Sequence, residues 1–156
     1  MKTLILYATK YGAAREIAQR IADHIDGAVL HDLKQGDLPA LAEFDCVILG
    51  SSLYAGSIRK EAKTFLAQHA EQLRGKTTGL FLSGMSQGEA GKAFADNVPP
   101  DLLQAAKATR LLGGVFDPQK AGLAERLIMR VVTKQKGYID AINDAAVREF
   151  AETMSR

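Results

Sequence analysis

The chain alternates short, almost continuously apolar runs with longer segments in which apolar residues recur every three or four positions. The first apolar run, at residues 3–7, leads through a small polar turn into a helical pattern that includes Ile17 and Ile21. Similar runs at residues 45–50 and 77–83 also lead through small-residue loops into helical patterns. Runs of this kind predict buried strands, and the three-to-four spacing predicts helices.

Five strands are predicted, at about residues 3–7, 28–32, 45–50, 77–83 and 109–115. A closing helix follows, with an apolar row formed by Ile139, Ile142, Ala146, Phe150 and Met154. Strands that alternate with helices predict an α/β fold with an open, doubly wound parallel sheet. We expect the strand order 2-1-3-4-5 and a single domain over residues 1–156, because this length suits one core.

Three loops of small residues follow the first, third and fourth strands, which are neighbours in that order. Ligands of such sheets bind outside the carboxyl ends of the strands, so we expect the loops to converge on one site. The candidate binding residues are Thr9, Lys10, Tyr11, Gly12, Ala13 and Ala14 in the first loop, Ser51, Ser52, Leu53, Tyr54, Ala55 and Gly56 in the second, and Ser83, Gly84, Met85, Ser86 and Gly88 in the third.

Each loop offers a different chemistry. The first lies between a strand and a helix amino terminus, where free N–H groups, the Thr9 hydroxyl and the Lys10 charge suit a phosphate. An ordinary strand-to-helix turn is the alternative. Tyr54 offers a face for stacking, and Met85 can either contact a ring or fill a gap in the core. The serines can contact the ring edge or bond their own backbone. Together the loops suit a mononucleotide with a flat ring.

Composition excludes several other classes. The chain is 47% hydrophobic and 24% charged, as in ordinary globular proteins. Its one cysteine, Cys46, lies in a predicted strand, allows no internal disulfide and fits a reducing cytoplasm. The apolar run at the start is too short for a signal peptide or for the ~20 residues of a membrane span. The three histidines have no metal-ligand spacing, and no hydrolase triad or general nucleic-acid surface is indicated.

A basic segment, at about residues 117–137, is predicted as a helical insert before the closing helix. It contains five basic and two acidic residues, a formal charge of +3, whereas the whole chain carries +2. Arg126, Arg130 and Lys134 recur at helical spacing and form one stripe of like charge. This stripe can contact anionic lipid head groups at a membrane surface. It can also bind the propionates of a tetrapyrrole, or it can be the solvated face of a packed helix.

The loops and the order of elements resemble the flavodoxin family over nearly the whole chain. The matching stretches read ATKYGAARE, VILGSSLYAGSI and FLSGMSQGEAG. Within that family the chain looks most similar to the bacterial menaquinone-dependent protoporphyrinogen IX dehydrogenases, with RLIMRVV in the insert as the nearest local match. The resemblance implies a flavodoxin-like fold and FMN, with phosphate in the first loop and the isoalloxazine between the second and third.

Three functions remain open. The resemblance implies an FMN-dependent dehydrogenase that passes electrons from a reduced tetrapyrrole to a quinone, with the flavin as the reactive group and no catalytic side chain. A second possibility is a soluble electron carrier, although such flavodoxins are usually acidic and this sequence has a pI near 8.7. The third is a binding module without cofactor, because Ala8 and Ala14 stand where flavodoxins carry hydroxyls. The oligomeric state is not predicted, and we expect a cytoplasmic protein with membrane contact only through the insert.

Overall fold

The computed structural model describes residues 1–116 and 139–156 and contains a parallel sheet flanked by helices. The strands are β1 Thr3–Ala8, β2 Val29–Asp32, β3 Cys46–Tyr54, β4 Ser57–Ile58, β5 Thr77–Ser83, β6 Ala108–Leu111, β7 Val115–Phe116 and β8 Ile139–Asp140. The helices are α1 Ala13–Ala22, α2 Lys60–Arg74, α3 Ala90–Asn97, α4 Pro100–Ala105 and α5 Asp144–Ser155.

Five parallel strands lie in the order β2-β1-β3-β5-β6, which confirms the predicted fold class and topology. Because β1, β3 and β5 are adjacent, their carboxyl ends meet at one edge of the sheet. Ala8 pairs with Ser51, and Ser52 pairs with Ser83. This register therefore brings the ends of the three predicted loops side by side.

Side chains alternate between the two faces of the sheet and build one apolar cluster on each. Leu4, Leu6 and Val47 point toward α2, α3 and α4, whereas Ile5 and Ile48 point toward α1 and α5. Strands buried on both faces read as continuous apolar runs, which is why the sequence pattern located them. Cys46 is fully buried on the second face, as expected.

The third strand is longer than predicted. Residues 51–54 continue β3 instead of forming a loop, and β4 returns antiparallel beside them. The connection at Ala55 and Gly56 has positive φ angles of 51° and 80°, which is the conformation of a two-residue hairpin. The second predicted loop is thus a β-hairpin that projects from the edge of the sheet.

The last predicted strand is shorter than expected. It ends at Leu111, and the chain turns through Gly113, whose φ of 85° L side chains rarely adopt. Beyond this turn, β7 pairs antiparallel with β8. Ile139 therefore belongs to a strand and Ile142 to the connection before α5, so neither lies on the closing helix as predicted.

The whole of the predicted basic insert, at residues 117–137 and including Arg126, Arg130 and Lys134, lies outside the described residues. Arg20 on α1 binds the chain where it returns to the described part, through Asp140 at 2.8 Å and Asp144 at 3.0 Å. It also binds Glu16 one turn earlier on α1 at 3.0 Å. None of the helices in the described part of the chain has the length and apolarity of a membrane span.

Candidate functional site

The turn between β1 and α1 has the geometry of an anion site. Gly12 precedes the helix with a φ of 100°, and its N–H donates to the Thr9 hydroxyl oxygen at 2.8 Å. A hydroxyl that accepts one hydrogen bond can still donate its own proton. The next N–H groups, of Ala13 and Ala14, are in the first turn of α1 and have no acceptor within the helix. The turn therefore directs donors and the positive helix end toward one point.

Lys10 connects this turn to the β3–β4 hairpin. Its backbone N–H donates to the Ser52 hydroxyl oxygen at 3.2 Å. Its ammonium nitrogen lies 3.7 Å from the ring centroid of Tyr54 and 5.0 Å from that of Tyr11. These are cation–π distances. The Lys10 ammonium thus contacts the rings of both Tyr54 and Tyr11 at the mouth of the site.

The hydroxyl groups of the two hairpin serines, Ser51 and Ser52, form hydrogen bonds with backbone groups. Ser51 is buried, donates its hydroxyl to the carbonyl of Ser52 at 3.0 Å and accepts the Arg59 N–H at 2.9 Å. Ser52 accepts the Lys10 N–H described above. Ser51 therefore fixes the path of the chain into α2, and Ser52 joins two loops. Tyr54 on this hairpin is an exposed aromatic side chain, with 48% of its surface accessible.

Asn97, at the end of α3, holds the hairpin turn and is a residue that the sequence reasoning missed. Its amide nitrogen donates to the carbonyls of Gly56 at 2.9 Å and Ala93 at 2.7 Å. Its amide oxygen accepts the Ile58 N–H at 3.2 Å. An Asn at a helix end is a recognisable terminal signal, but no sequence pattern shows that its side chain reaches a hairpin 41 residues earlier.

The third loop is held by the chain after β6. Gly84 donates its N–H to the carbonyl of Gly113 at 2.9 Å. A Cβ on Gly114 would lie 3.1 Å from the Ser83 hydroxyl oxygen and 3.6 Å from the Met85 sulfur. Gly113 and Gly114 thus let a second chain segment pass close to the loop. Two adjacent glycines within the predicted fifth strand were the available signal.

Nine of the predicted binding residues line a cleft of about 150 Å³ at this edge. They are Lys10, Tyr11, Ala13, Ser52, Leu53, Tyr54, Ser83, Gly84 and Met85, and Gly114 and Val115 complete the wall. Ligand sites for molecules of drug size are roughly 300–1,000 Å³. The cleft is therefore a groove that would hold one part of a larger ligand, while the rest extends along the sheet edge.

The remaining predicted residues lie around this cleft rather than in it. Gly56 and Ser86 line a neighbouring groove of about 270 Å³, which shares Leu53, Gly84 and Met85 with the cleft. Thr9 and Gly12 shape the first turn, and Ala14 and Ser51 are buried. Ala55 is exposed in the hairpin turn, and Gly88 is exposed in the 3₁₀ helix Gln87–Glu89. The structure thus brings the three loops together. It distinguishes the residues that line the cleft from those that only shape the loops around it.

One side chain near the first turn has a shifted pKa: burial, and then the Asp32 carboxylate, raise the pKa of the Tyr7 hydroxyl. Within the described residues, no group of three or more His, Cys, Asp or Glu side chains could hold a metal ion.

Comparisons with known proteins agree with this architecture. The sequence matches the family described as the flavodoxin domain over residues 4–141. A flavodoxin of Streptococcus pneumonia TIGR4 superimposes with a TM-score of 0.62 and 18% identity, covering 99% of this chain and 98% of that one. A flavoprotein of Lactobacillus acidophilus NCFM, solved in complex with FMN, gives 0.51 and 19%, covering 72% and 90%.

One relative carries a specific activity in its name. The protoporphyrinogen IX dehydrogenase [quinone] of Escherichia coli (strain K12) is 30% identical over 88 residues. The match covers 52% of this chain and 47% of that relative, so the chain matches only about half the length of the relative.

Proposed function

Since the chain belongs to the flavodoxin domain family, we propose that it is an FMN-binding oxidoreductase. The observation that supports this most directly is the convergence of the three loops at the carboxyl ends of β1, β3 and β5. One loop provides anion donors, one an exposed aromatic ring, and one backbone groups beside a methionine. An FMN-bound neighbour with the same fold supports the same cofactor.

The described residues fit FMN. The phosphate would lie in the first turn, where Thr9, Lys10 and the N–H groups of Ala13 and Ala14 can donate hydrogen bonds. The ring would lie in the cleft against Tyr54, with Met85 on the opposite loop. When bound, the flavin supplies the electron-transfer chemistry, and the chain supplies binding, orientation and access.

The missing hydroxyls at Ala8 and Ala14 do not favour a module without cofactor. Both side chains are buried in apolar clusters, at 2% and 0% exposure, on opposite faces of the sheet. A hydroxyl at either position would need a partner of its own. The backbone donors of the turn are independent of these side chains.

We propose a tetrapyrrole as electron donor and a quinone as acceptor, as the name of the Escherichia coli relative suggests. A test is an anaerobic assay with FMN-loaded protein, protoporphyrinogen IX and menadione, in which porphyrin fluorescence is followed against a free-FMN control. We expect fluorescence growth that depends on the quinone and exceeds the control. A rate equal to that of free FMN would exclude this donor.

An electron carrier is the second candidate. It is favoured by the neighbour from Streptococcus pneumonia, because the superposition spans 98% of that flavodoxin, whereas the sequence match to the dehydrogenase spans about half of it. A carrier would bind FMN saturably and turn over neither substrate unless a protein partner is present. Absence of saturable FMN binding would contradict both functions.

A further inference from the structure

We propose that the groove beside the cleft, between the β3–β4 hairpin and α3, binds the electron acceptor as an uncharged quinone and disfavours the anionic tetrapyrrole donor. This inference rests on the proposed function, since it assigns a place to one of its two substrates. The groove has a volume of about 270 Å³ and shares Leu53, Gly84 and Met85 with the cleft. A ligand in the groove would therefore lie against the same three residues as a flavin in the cleft.

The inner surface of the groove is apolar. The side chains of Leu53 and Leu111 pack against the backbone of Gly84, where an added Cβ would lie 3.3 Å from one leucine and 3.5 Å from the other. Ala93, which is buried, and Met85, which is exposed, extend this surface. A flat apolar ring binds to such a surface because both lose contact with water.

The walls of the groove are fixed by hydrogen bonds that do not depend on a ligand. Asn97 joins α3 to the hairpin through the carbonyl of Gly56 at 2.9 Å, and Gly56 lines the groove. The side-chain amide of Gln87, on the third loop, donates to the carbonyl of Leu111 at 3.2 Å. The groove is therefore preformed, so a ligand binds without the cost of ordering its walls.

Charges at the rim distinguish the two proposed substrates. The rim carries two carboxylates, Glu89 and Asp96, and one ammonium, Lys92, so its net charge is −1. Lys92 forms an ion pair with Asp96 at 2.5 Å. A tetrapyrrole with two propionates would meet a rim of its own sign, and like charges brought together disfavour binding. A quinone has no charge to be repelled.

The size of the groove favours the same substrate. Sites for molecules of drug size are roughly 300–1,000 Å³, and the groove, at about 270 Å³, is slightly smaller. It fits a quinone of one or two rings better than a macrocycle of four pyrroles. For each two electrons and two protons that the donor loses, one quinone gains the same number, and its two carbonyl groups become hydroxyls.

The test compares two quinones with the same pair of rings: menadione, which is neutral, and 1,4-naphthoquinone-2-sulfonate, which is anionic. Calorimetric titration into protein loaded with oxidised FMN measures both dissociation constants, because the cofactor then fills the cleft and cannot reduce the quinone. We expect the wild type to bind menadione about threefold or more tightly than the sulfonate. Glu89→Lys changes the rim charge from −1 to +1. It should tighten sulfonate binding about three- to tenfold and alter menadione binding less than about twofold.

Glu152→Lys is the matched control. It makes the same change in the net charge of the protein at an exposed position of α5, which packs on the other face of the sheet. Both affinities should stay within about twofold of the wild-type values. Glu89→Gln removes one charge instead of reversing it, so its effect on the sulfonate should be intermediate.

Equal binding of the two quinones by the wild type would overturn the inference, and so would equal effects of Glu89→Lys and Glu152→Lys on the sulfonate. Absence of saturable menadione binding to the FMN-loaded protein would also overturn it. Menadione binding that is seen only without FMN belongs to this case, because the quinone would then occupy the flavin cleft.

A titration with FMN separates the two proposals. If the wild type does not bind FMN saturably, the proposed function fails, and the assignment of an acceptor fails with it. If the wild type binds FMN and does not distinguish the two quinones, only the assignment of the groove fails.

Discussion

Replacing Asn97 by alanine should both destabilise the protein and weaken FMN binding. The side chain makes three hydrogen bonds: one to the Ala93 carbonyl of its own helix at 2.7 Å, and two, at 2.9 and 3.2 Å, that join the end of α3 to the β3–β4 hairpin. Two of these bonds go to Gly56 and Ile58, which follow Tyr54 within four residues. The substitution removes the clamp without changing any residue that lines the cleft.

The expected loss of stability depends on whether each lost hydrogen bond leaves its former partner buried or exposed to water. Ile58 is 5% exposed, so its N–H would lose its partner in a place that water reaches poorly. An unsatisfied buried donor costs about 1–3 kcal/mol. Gly56 is exposed, so its carbonyl can return to water at little cost. We therefore expect the free energy of unfolding to fall by about 2 kcal/mol.

The loosened hairpin should also bind the cofactor less well. Tyr54 would have to be ordered during binding, and ordering one side chain costs about 0.5–1.5 kcal/mol. The dissociation constant for FMN should therefore rise by a factor of about two to ten. Urea unfolding measures the first effect, and a titration that follows flavin fluorescence measures the second.

Asn143 is the matched control. It caps α5 by accepting the Ala146 N–H at 3.0 Å, far from the hairpin in the chain. Asn143→Ala should cost about 1 kcal/mol of stability and leave FMN affinity unchanged. If Asn97→Ala affects FMN binding no more than Asn143→Ala does, the clamp does not position the hairpin.

Further predictions concern the Gly113 turn, the Arg20 ion pairs and Cys46. Gly113→Ala should destabilise the protein by more than about 2 kcal/mol in urea unfolding. Its φ is 85°, and a Cβ there would lie 2.0 Å from the Ala141 carbonyl oxygen. The hydrogen bond from Arg20 is the main cause that lowers the pKa of Asp140. This contribution to stability is present above the unfolded pKa of about 3.9 and lost as pH falls through the folded pKa. Because Asp140 is 41% exposed, the loss should be about 0.5 kcal/mol, and Arg20→Gln should remove that acid-dependent component. Burial raises the pKa of the Cys46 thiol, so the native protein should not react with a thiol reagent at pH 8, whereas the urea-unfolded protein should react fully.

For each of these three predictions, a specific result would contradict the physical explanation. Gly75→Ala is the control for the glycine turn, since Gly75 has a φ of −92° and no atom within 4 Å of an added Cβ. Equal losses in the two alanine variants would contradict the steric explanation. The ion-pair argument fails if Arg20→Gln and the wild type lose the same stability between pH 7 and pH 3. Rapid labelling of native Cys46 would show that its strand opens readily.

The candidate site was predicted in part from local patterns. Small residues after β1, β3 and β5 identified the three loops, and nine of their residues line the cleft. The roles within the loops were less predictable. The sequence suggests Ser51 as a ligand-binding residue. In the structure, however, its hydroxyl forms hydrogen bonds with the backbone of the hairpin and of the residue before α2. A side chain at a loop position can turn toward either the ligand or the backbone, and the sequence of the loop alone does not distinguish them.

The sequence by itself determined the alternation of strands and helices, the parallel sheet and the side of the sheet at which the three loops meet. It even predicted β5 with the bounds that the structure shows, Thr77–Ser83. These features follow from local periodicity, because a buried strand and an amphipathic helix repeat their apolar residues at different intervals. Tertiary structure alone decided that β3 continues to Tyr54, that β7 pairs with β8 and that Asn97 holds the hairpin. It also placed the Lys10 ammonium over Tyr54. Such contacts join residues distant in the chain, so they depend on how the packed elements meet and not on any periodicity within one of them.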